Sequence, residues 1–226
     1  MHAPSDTRKI LITAGALYLL IILTGLTGEL VLRAPLVAAD PGSLIDGTAR
    51  LRASIMADAV MIAADVALAV LLFVLLAPVG RVLAALAAAF RLIQAAILGA
   101  GLTTLAAALL WIEAGEVSFA GTALDLHAIG YDLGLIFFGI NSVLTGTLLV
   151  RHEAFPTWLG TLLIAAGGVY LTGSSLRIAA PEVFALFQPA YLIAIIAETA
   201  FAVTLLLQGL GLGRQSRADA SGWSGA

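Results

Sequence analysis

The chain has 226 residues, of which 61% are hydrophobic and 11% are charged, and its formal net charge is −3 at pH 7. Because soluble domains carry roughly a quarter charged residues, this chain has too little polar surface for a soluble globule, and its composition suits a protein surrounded by lipid. The small net charge, without a basic patch, argues against a nucleic-acid partner. The chain has no cysteine, which excludes disulfides, thiolate metal sites and thiol chemistry.

Six apolar runs, each about as long as the roughly 20 residues that cross a bilayer, follow one another along the chain. They predict an all-α fold, an integral membrane bundle of six transmembrane helices that forms one domain over residues 10–210. Residues 1–9 are expected to be a polar cytoplasmic lead, and residues 211–226 a disordered tail. The predicted helices cover about residues 10–32, 51–76, 82–111, 126–150, 157–176 and 184–210.

The first apolar run must be weighed against a cleaved signal peptide. The run is longer than the usual apolar region of ~7–15 residues, and Glu29 precedes any small-residue cleavage site. We therefore interpret it as a transmembrane helix. Polar connections are expected over residues 33–50 and 113–125. The sequence PVGR at residues 78–81 predicts a tight turn, which makes helices two and three an antiparallel hairpin.

The distribution of Lys and Arg among the short loops predicts the orientation in the membrane. With the N-terminus inside, six basic residues lie on the inner side and four on the outer side. This excess predicts a multi-pass protein of the cell (inner) membrane with both termini in the cytoplasm. The inner residues would be Arg8, Lys9, Arg81, Arg151, Arg214 and Arg217, and the outer ones Arg33, Arg50, Arg52 and Arg177.

Ten polar side chains lie in or at the edges of the apolar runs, where an ionised group facing lipid costs at least ~2.5–3.5 kcal/mol. We therefore expect them to turn toward one another inside the bundle. Alternating helix directions place them in two layers. Near the outer face lie Glu29, Asp58, His127, Tyr131 and Asp132, and nearer the midplane lie Asp65, Arg91, Gln94, Asn141 and Glu198.

The spacing of these residues supports an inward polar face. Asp58 and Asp65 are seven residues apart, and His127 and Tyr131 are four apart, so each pair shares one side of its helix. A polar stripe of this kind on several helices predicts a polar cup that opens outward and has Arg91 at its floor.

Arg91 needs a partner at its depth. The hairpin brings Asp65, thirteen residues before Pro78, level with Arg91, ten residues after Arg81. Asp65 is therefore the favoured partner, and Glu198 on helix six is the other candidate, alone or together with Asp65. Such a pair is either part of a functional site or a lock that fixes helix register, as buried ion pairs sometimes are.

One histidine near carboxylates permits a metal-dependent site without specifying one. Glu29, Asp58 and Asp132 could join His127 around zinc or a hard cation. However, the sequence has no HExxH, no GxSxG elbow and no glycine-rich phosphate loop. We assign no metal ligands and leave the cofactor and any catalytic residues open. An intramembrane enzyme that uses His127 with Asp58 or Asp132 remains an alternative.

Aromatic and small residues have simpler interpretations. Interfacial anchors are expected near the ends of the spans or just inside them, at Trp111, Trp158, Tyr170 and Tyr191. Gly130 and Gly134 are four residues apart, and Gly167, Gly168 and Gly173 recur on helix five; small residues in such patterns favour close helix packing.

Five segments of the chain carry a further similarity. They are GALYLLIILTGLTGEL (15–30), ADVALAVLLFVLLAPVGR (64–81), RLIQAAILG (91–99), LHAIGYDLGLIFFGINSVLTGTLLVR (126–151) and FPTWLGTLLIAAGGVYL (155–171). Together they resemble the bacterial membrane-protein family called domain of unknown function 4386, over nearly all of residues 9–209. The resemblance implies a multi-span bacterial membrane protein without an assigned activity.

The leading prediction is that the cup binds, and in its extended form transports, a small polar molecule or ion. A structural or partner-binding membrane subunit with a purely architectural ion pair is a third alternative. The expected partners are the lipid bilayer and the small ligand, and the oligomeric state is left open. The floor would consist of Asp65, Arg91 and Gln94, the wall of Glu29, Asp58, His127, Tyr131 and Asp132, and the ligand-binding set also includes Asn141 and Glu198.

Overall fold

The structure, a computed structural model, describes residues 5–37 and 43–212. Residues 1–4 of the predicted lead and nearly all of the predicted tail therefore lie outside the described residues. The elements are helical in both described ranges, with no strand. They are Ser5–Leu26, a π-helical segment Thr27–Arg33, Ala34–Val37, Ser43–Asp46, Thr48–Glu113, Val117–Arg151, Thr157–Ala179, Pro181–Phe187, a 3₁₀ turn Gln188–Ala190, and Tyr191–Gly209.

The 66-residue helix Thr48–Glu113 folds back on itself at Gly80. Gly80 has extended backbone angles (φ −176°, ψ 91°) and follows Pro78, which lacks the N–H that a continuous helix needs. In a straight helix Arg52 and Glu113 would lie about 90 Å apart at 1.5 Å per residue, yet their side chains form an ion pair. The predicted antiparallel hairpin is therefore present.

The bundle consists of six spans, which we number in chain order. Span 1 packs against span 6 and against the hairpin of spans 2 and 3, the hairpin against span 4, span 4 against span 5, and span 5 against span 6. We call the end that carries the connections after residues 37, 113 and 179 the distal end, and the opposite end the terminal end. The spans cover residues 5–37, 48–79, 81–113, 117–151, 157–179 and 181–209.

The main apolar core lies where all six spans meet. Each span contributes buried side chains to it, so the ring of spans closes around one core rather than around a wide channel. The outer surface is also apolar, with exposed Leu and Val side chains such as Leu23, Val82 and Leu110. Core residues from spans 1 to 6 include Tyr18, Leu68, Ala84, Phe138, Leu163 and Phe201.

Within residues 5–37 and 43–212, five continuous helices are long and apolar enough to cross a membrane, and the fold at Gly80 turns one of them into two passes. The exposed Leu and Val side chains suit contact with lipid tails, because they would have no reason to face water in such numbers. The predicted all-α membrane bundle is confirmed.

Both predicted polar connections are too long. Residues 33–37 belong to span 1 and residues 48–50 to span 2, so the connection predicted over residues 33–50 is shorter. Residues 113–125 were expected to form a polar loop, but span 4 already begins at Val117. Gly115 supplies the turn with a positive φ of 80°, a conformation that favours glycine. Ala120 and Leu124 then pack on span 3 in a second, distal core, so apolar contact at a four-residue spacing keeps this polar segment helical.

The ion pair between Arg52 and Glu113 is exposed to solvent at the distal end. Exposed pairs contribute little to stability, typically below ~1 kcal/mol. We therefore expect Glu113→Gln to leave the thermal unfolding temperature in detergent almost unchanged. A large decrease would contradict this assignment and would mean that the pair holds the hairpin together.

Candidate functional site

The first group of polar residues, which we call the distal cluster, consists of Glu29, Arg33 and Asp58. Arg33 Nη1 lies 2.5 Å from Asp58 Oδ2, and Arg33 Nη2 lies 2.8 Å from Glu29 Oε2. Arg33 and Asp58 are buried, whereas the Glu29 side chain is 48% exposed. Glu29 is therefore the one member of the cluster in contact with the surroundings of the bundle.

The π-helical segment Thr27–Arg33 positions this cluster. Such segments are rare and are frequently found at functional sites. Within it, Gly28 lets span 2 approach closely, because a Cβ on Gly28 would lie 2.8 Å from Asp58 Oδ1. The local backbone thus turns Arg33 inward onto Asp58, although its position at the end of an apolar run predicted a loop residue.

His127 lies beside the distal cluster on span 4. Its Nδ1 is 3.1 Å from the carbonyl oxygen of Gly101 on span 3. A carbonyl oxygen only accepts, so Nδ1 carries the proton and, in the neutral ring, Nε2 is an acceptor. Tyr131, one turn further on, has its ring centroid 6.1 Å from that of His127.

The second group, the central cluster, consists of Asp65, Arg91 and Gln94. Arg91 Nε donates to Asp65 Oδ1 at 2.8 Å, and Nη2 lies 2.5 Å from the same oxygen. Arg91 is 1% exposed and Asp65 is also buried. Gln94, three residues after Arg91, is buried next to Asp65. The pairing of Arg91 with Asp65 that the hairpin predicted is present.

Two aromatic rings contact the Arg91 guanidinium. Its central carbon lies 5.0 Å from the ring centroid of Tyr18 and 5.1 Å from that of Phe138. Ring faces attract cations, and the attraction is stronger where water is excluded. The charge on Arg91 is therefore compensated by the Asp65 carboxylate and by rings of spans 1 and 4.

Glu198 was the other candidate partner of Arg91, and its contacts are different. The Tyr170 hydroxyl of span 5 donates a hydrogen bond to Glu198 Oε1. Tyr170 was predicted to be an interfacial anchor, but it is buried in the core, with its ring 5.2 Å from that of Phe138. The anchor assignment for Tyr170 is therefore wrong, because its hydroxyl has a partner inside the protein.

Asn141 lies on the terminal side of the central cluster. The Thr145 hydroxyl donates to Asn141 Oδ1 at 3.3 Å. Both residues line a cavity of about 10 Å³ that also borders Arg91, which is room for about one water molecule. Polar character therefore continues past Arg91, although only through neutral side chains.

Asp132 does not belong to the wall that the sequence predicted. It lies five residues after His127, on a different side of span 4, and its Oδ2 is 3.1 Å from Arg177 Nε of span 5. Asp132 is buried, whereas the Arg177 side chain is 46% exposed. The carboxylate therefore has its own cation and turns away from His127.

The predicted residues thus form three sites rather than one cup. The distal cluster with His127 and Tyr131 is one, the central cluster with Glu198 is the second, and Asp132 with Arg177 is the third. Within the described ranges, no three His, Asp or Glu side chains converge as ligands of a metal ion would.

Sequence reasoning missed the residues that complete these sites. Arg33 and Arg177 were assigned to outer loops, and both pair with buried aspartates. A signal for Arg33 was available, because Glu29 lies four residues before it and the two could pair on one helix face. No comparable signal marked Tyr18 or Tyr170, since their roles depend on which spans become neighbours.

The histidine in the connection between spans 4 and 5 differs from His127. Partial burial lowers the pKa of His152 below its ordinary value, so this ring is neutral at physiological pH. Its Nδ1 accepts a hydrogen bond from the Ala154 N–H at 3.1 Å. His152 therefore caps a turn and provides a control for substitutions at His127.

Comparison with known proteins identifies the family of this chain but no characterised relative. A protein of Archaeoglobus fulgidus, described as an uncharacterized protein, is 33% identical over 126 residues, which is 55% of this chain and 67% of the relative. No solved structure matches the chain. The model of the family described as Domain of unknown function (DUF4386) matches residues 13–209. This range includes both clusters, most of span 1 and the whole of spans 2 to 6, and the chain belongs to this family.

Proposed function

We propose that this multi-pass membrane protein binds a small monovalent cation, or a small molecule that donates hydrogen bonds, at the distal cluster. The observation that carries the proposal is a pair of buried acceptors. Asp58 Oδ1 and His127 Nε2 have no hydrogen-bond partner among the described residues. The two side chains are close enough for their charges to interact. Buried polar atoms are nearly always hydrogen-bonded, so a donor between them would complete the site.

The charge of the cluster supports a cation over an anion. Glu29 and Asp58 carry two negative charges against the single positive charge of Arg33, which leaves a net charge of about −1 where the dielectric constant is low. Glu29 is half exposed and would be the point of entry. The ligand would therefore arrive at Glu29 and lie against Asp58 and His127.

Binding fits the arrangement better than passage through the protein. The ionisable groups extend from the distal end to Arg91 and Asp65, and beyond them the buried polar residues Asn141 and Thr145 are neutral. We further propose that the protein lies in the inner membrane of the cell. Its distal end would face outward, and both termini would lie in the cytoplasm. The excess of Lys and Arg on the terminal side supports this orientation.

A thermal unfolding measurement tests the proposal. A ligand at 100 times its dissociation constant stabilises the folded state by ~2.7 kcal/mol. We expect chloride salts of ammonium, lithium, sodium or potassium to raise the unfolding temperature of the purified protein in maltoside detergent above that in choline chloride of equal ionic strength. The choline cation is larger than the other four and has no N–H to donate, so it serves as the reference.

Substitution of the two histidines provides the matched control. His127→Phe keeps a ring of similar size but removes the Nε2 acceptor, so the increase with the small cation should disappear. His152→Phe, in the connection outside the spans, should keep it. Equal unfolding temperatures in all five salts, or an equal increase in both variants, would contradict cation binding at the distal cluster.

Two other functions remain in competition. An architectural role is favoured by the complete burial of Arg91 and Asp65, and it predicts that no salt-specific stabilisation exists. An enzyme that uses His127 with Asp132 has less support, because Asp132 pairs with Arg177 instead. The enzymatic alternative therefore depends on His127 acting together with Asp58.

A further inference from the structure

The charges buried in the bundle are matched one to one, with a single exception. Three deep aspartates each have their own arginine. Glu198 is buried as well, yet no Lys, Arg or His of the described ranges lies within 4 Å of its carboxyl oxygens as an ion-pair partner. The three matched pairs are Asp58 with Arg33, Asp65 with Arg91 and Asp132 with Arg177.

The groups that face Glu198 from the neighbouring spans do not replace a cation. Tyr170 of span 5 donates a hydrogen bond to Glu198 Oε1. Tyr18 of span 1 and Tyr131 of span 4 are near enough for a charge on Glu198 to act on their hydroxyl groups. Arg91 is near enough for its charge to act on Glu198. However, Arg91 is already paired with Asp65 at 2.5 Å, so the pair presents almost no net charge to a third group.

An ionised Glu198 would place one uncompensated negative charge at the centre of the bundle. An isolated carboxylate in an apolar medium is so unfavourable that the group takes up a proton instead. The neutral acid needs only hydrogen bonds, and its carbonyl oxygen accepts one from Tyr170. The surroundings of Glu198 therefore fit a carboxylic acid and not a carboxylate.

We propose that Glu198 is a proton-binding site at the membrane core, which holds one proton from bulk water on its carboxyl group at neutral pH. The proposal is independent of the cation at the distal cluster. It rests on the burial of Glu198 and on the mismatch between four buried carboxyl groups and three arginines. The Tyr170 hydrogen bond fixes the position of the carboxyl group and is available to either protonation state. The protein would then carry an exchangeable proton beside the Arg91–Asp65 pair.

Infrared spectroscopy of the purified protein in maltoside, which has no ester carbonyl, tests this directly. A protonated carboxylic acid has a C=O stretching band well separated from carboxylate and amide bands. We expect this band in the wild type at neutral pH, shifted slightly lower in D₂O. In Glu198→Gln the band should be lost, while Glu113→Gln, which removes an exposed carboxylate, should retain it.

A second variant identifies the group without removing its carboxyl. Tyr170→Phe takes away the hydrogen bond to the Glu198 carbonyl, and a C=O that loses a hydrogen bond stretches at higher frequency. We expect the band to shift upward in this variant. The proposal is overturned if the wild type lacks the band at neutral pH, or if neither Glu198→Gln nor Tyr170→Phe alters it. These infrared results do not depend on whether cations stabilise the protein, so this proposal and the one for the distal cluster can fail separately.

Discussion

Asp65→Asn and Arg91→Met are each expected to destabilise the protein by ~3–5 kcal/mol, the cost of leaving one member of a buried ion pair without its partner. In Asp65→Asn the guanidinium stays beside Tyr18 and Phe138 but loses its ion-pair partner, and the Glu198 carboxyl group, although near, is not within 4 Å of it. In Arg91→Met the carboxylate of Asp65 stays in the core with no cation. Thermal unfolding in detergent, followed by circular dichroism, measures both effects.

The double variant distinguishes a matched pair from two independent contributions. Asp65→Asn with Arg91→Met contains no unpaired charge, so we expect it to be considerably more stable than either single variant. Replacement of a complete buried pair is often close to neutral. If its destabilisation instead equalled the sum of the two single losses, the two residues would not be coupled. The same substitutions at exposed positions, Asp125→Asn and Arg81→Met, should change little.

The coupling of Arg91 to Asp65 could be predicted because two strong constraints act on it. A charge within an apolar run must face protein or water, and the short turn at residues 78–81 fixes which residues of spans 2 and 3 are level. No constraint of that strength acted on Glu198. Its depth on span 6 was correct for a partner of Arg91, but its actual partner depends on the position of span 5.

The distal cluster shows how local backbone geometry can overturn a prediction from composition. The cost of facing lipid gave Glu29 an inward position, and the polar stretch that starts at Arg33 assigned this residue to a connection. The π-helical segment Thr27–Arg33 changes the number of residues per turn over just this stretch. Arg33 is thereby turned onto Asp58, and the predicted wall gains a cation at its centre.

The predicted cup failed for a different reason. Asp132 was grouped with His127 because both lie near the distal end of span 4, but depth along a helix does not fix the direction around it. Five residues correspond to a rotation of roughly 140° at 3.6 residues per turn. Asp132 therefore meets span 5, where Arg177 completes a separate pair.

The glycine pattern in the sequence identified only part of the close packing of spans 4 and 5. Gly167 was among the predicted packing positions and lies in close contact with span 4, whereas Gly130 was also predicted to be a packing position and has no atom within 4 Å of its Cβ position. The closest contacts between the two spans involve four glycines, two on each helix. The two glycines of each helix are seven residues apart, about two turns, so they lie on the same face. They are Gly139 and Gly146 on span 4, and Gly167 and Gly160 on span 5.

We expect Gly146→Ala and Gly167→Ala to destabilise the protein by ~1–3 kcal/mol each, as overpacking of a tight interior does. A Cβ on Gly146 would lie 2.5 Å from the Gly160 carbonyl oxygen, and one on Gly167 would lie 2.6 Å from the Gly139 oxygen. The opposing atoms belong to helix backbone, so no side-chain rotation relieves the contact and the two spans must separate.

A glycine-to-alanine substitution at a position without close neighbours should stabilise the protein rather than destabilise it. Such a position on the same span provides the control. Gly168 neighbours Gly167 on span 5, and nothing lies within 4 Å of its Cβ position. Because alanine stabilises a helix by ~1 kcal/mol relative to glycine, Gly168→Ala should raise the unfolding temperature slightly. A decrease of equal size in Gly167→Ala and Gly168→Ala would show that helix contact is not the cause. Since span 5 carries Tyr170, separation of the spans in Gly167→Ala should also weaken its hydrogen bond to Glu198 and shift the infrared band upward.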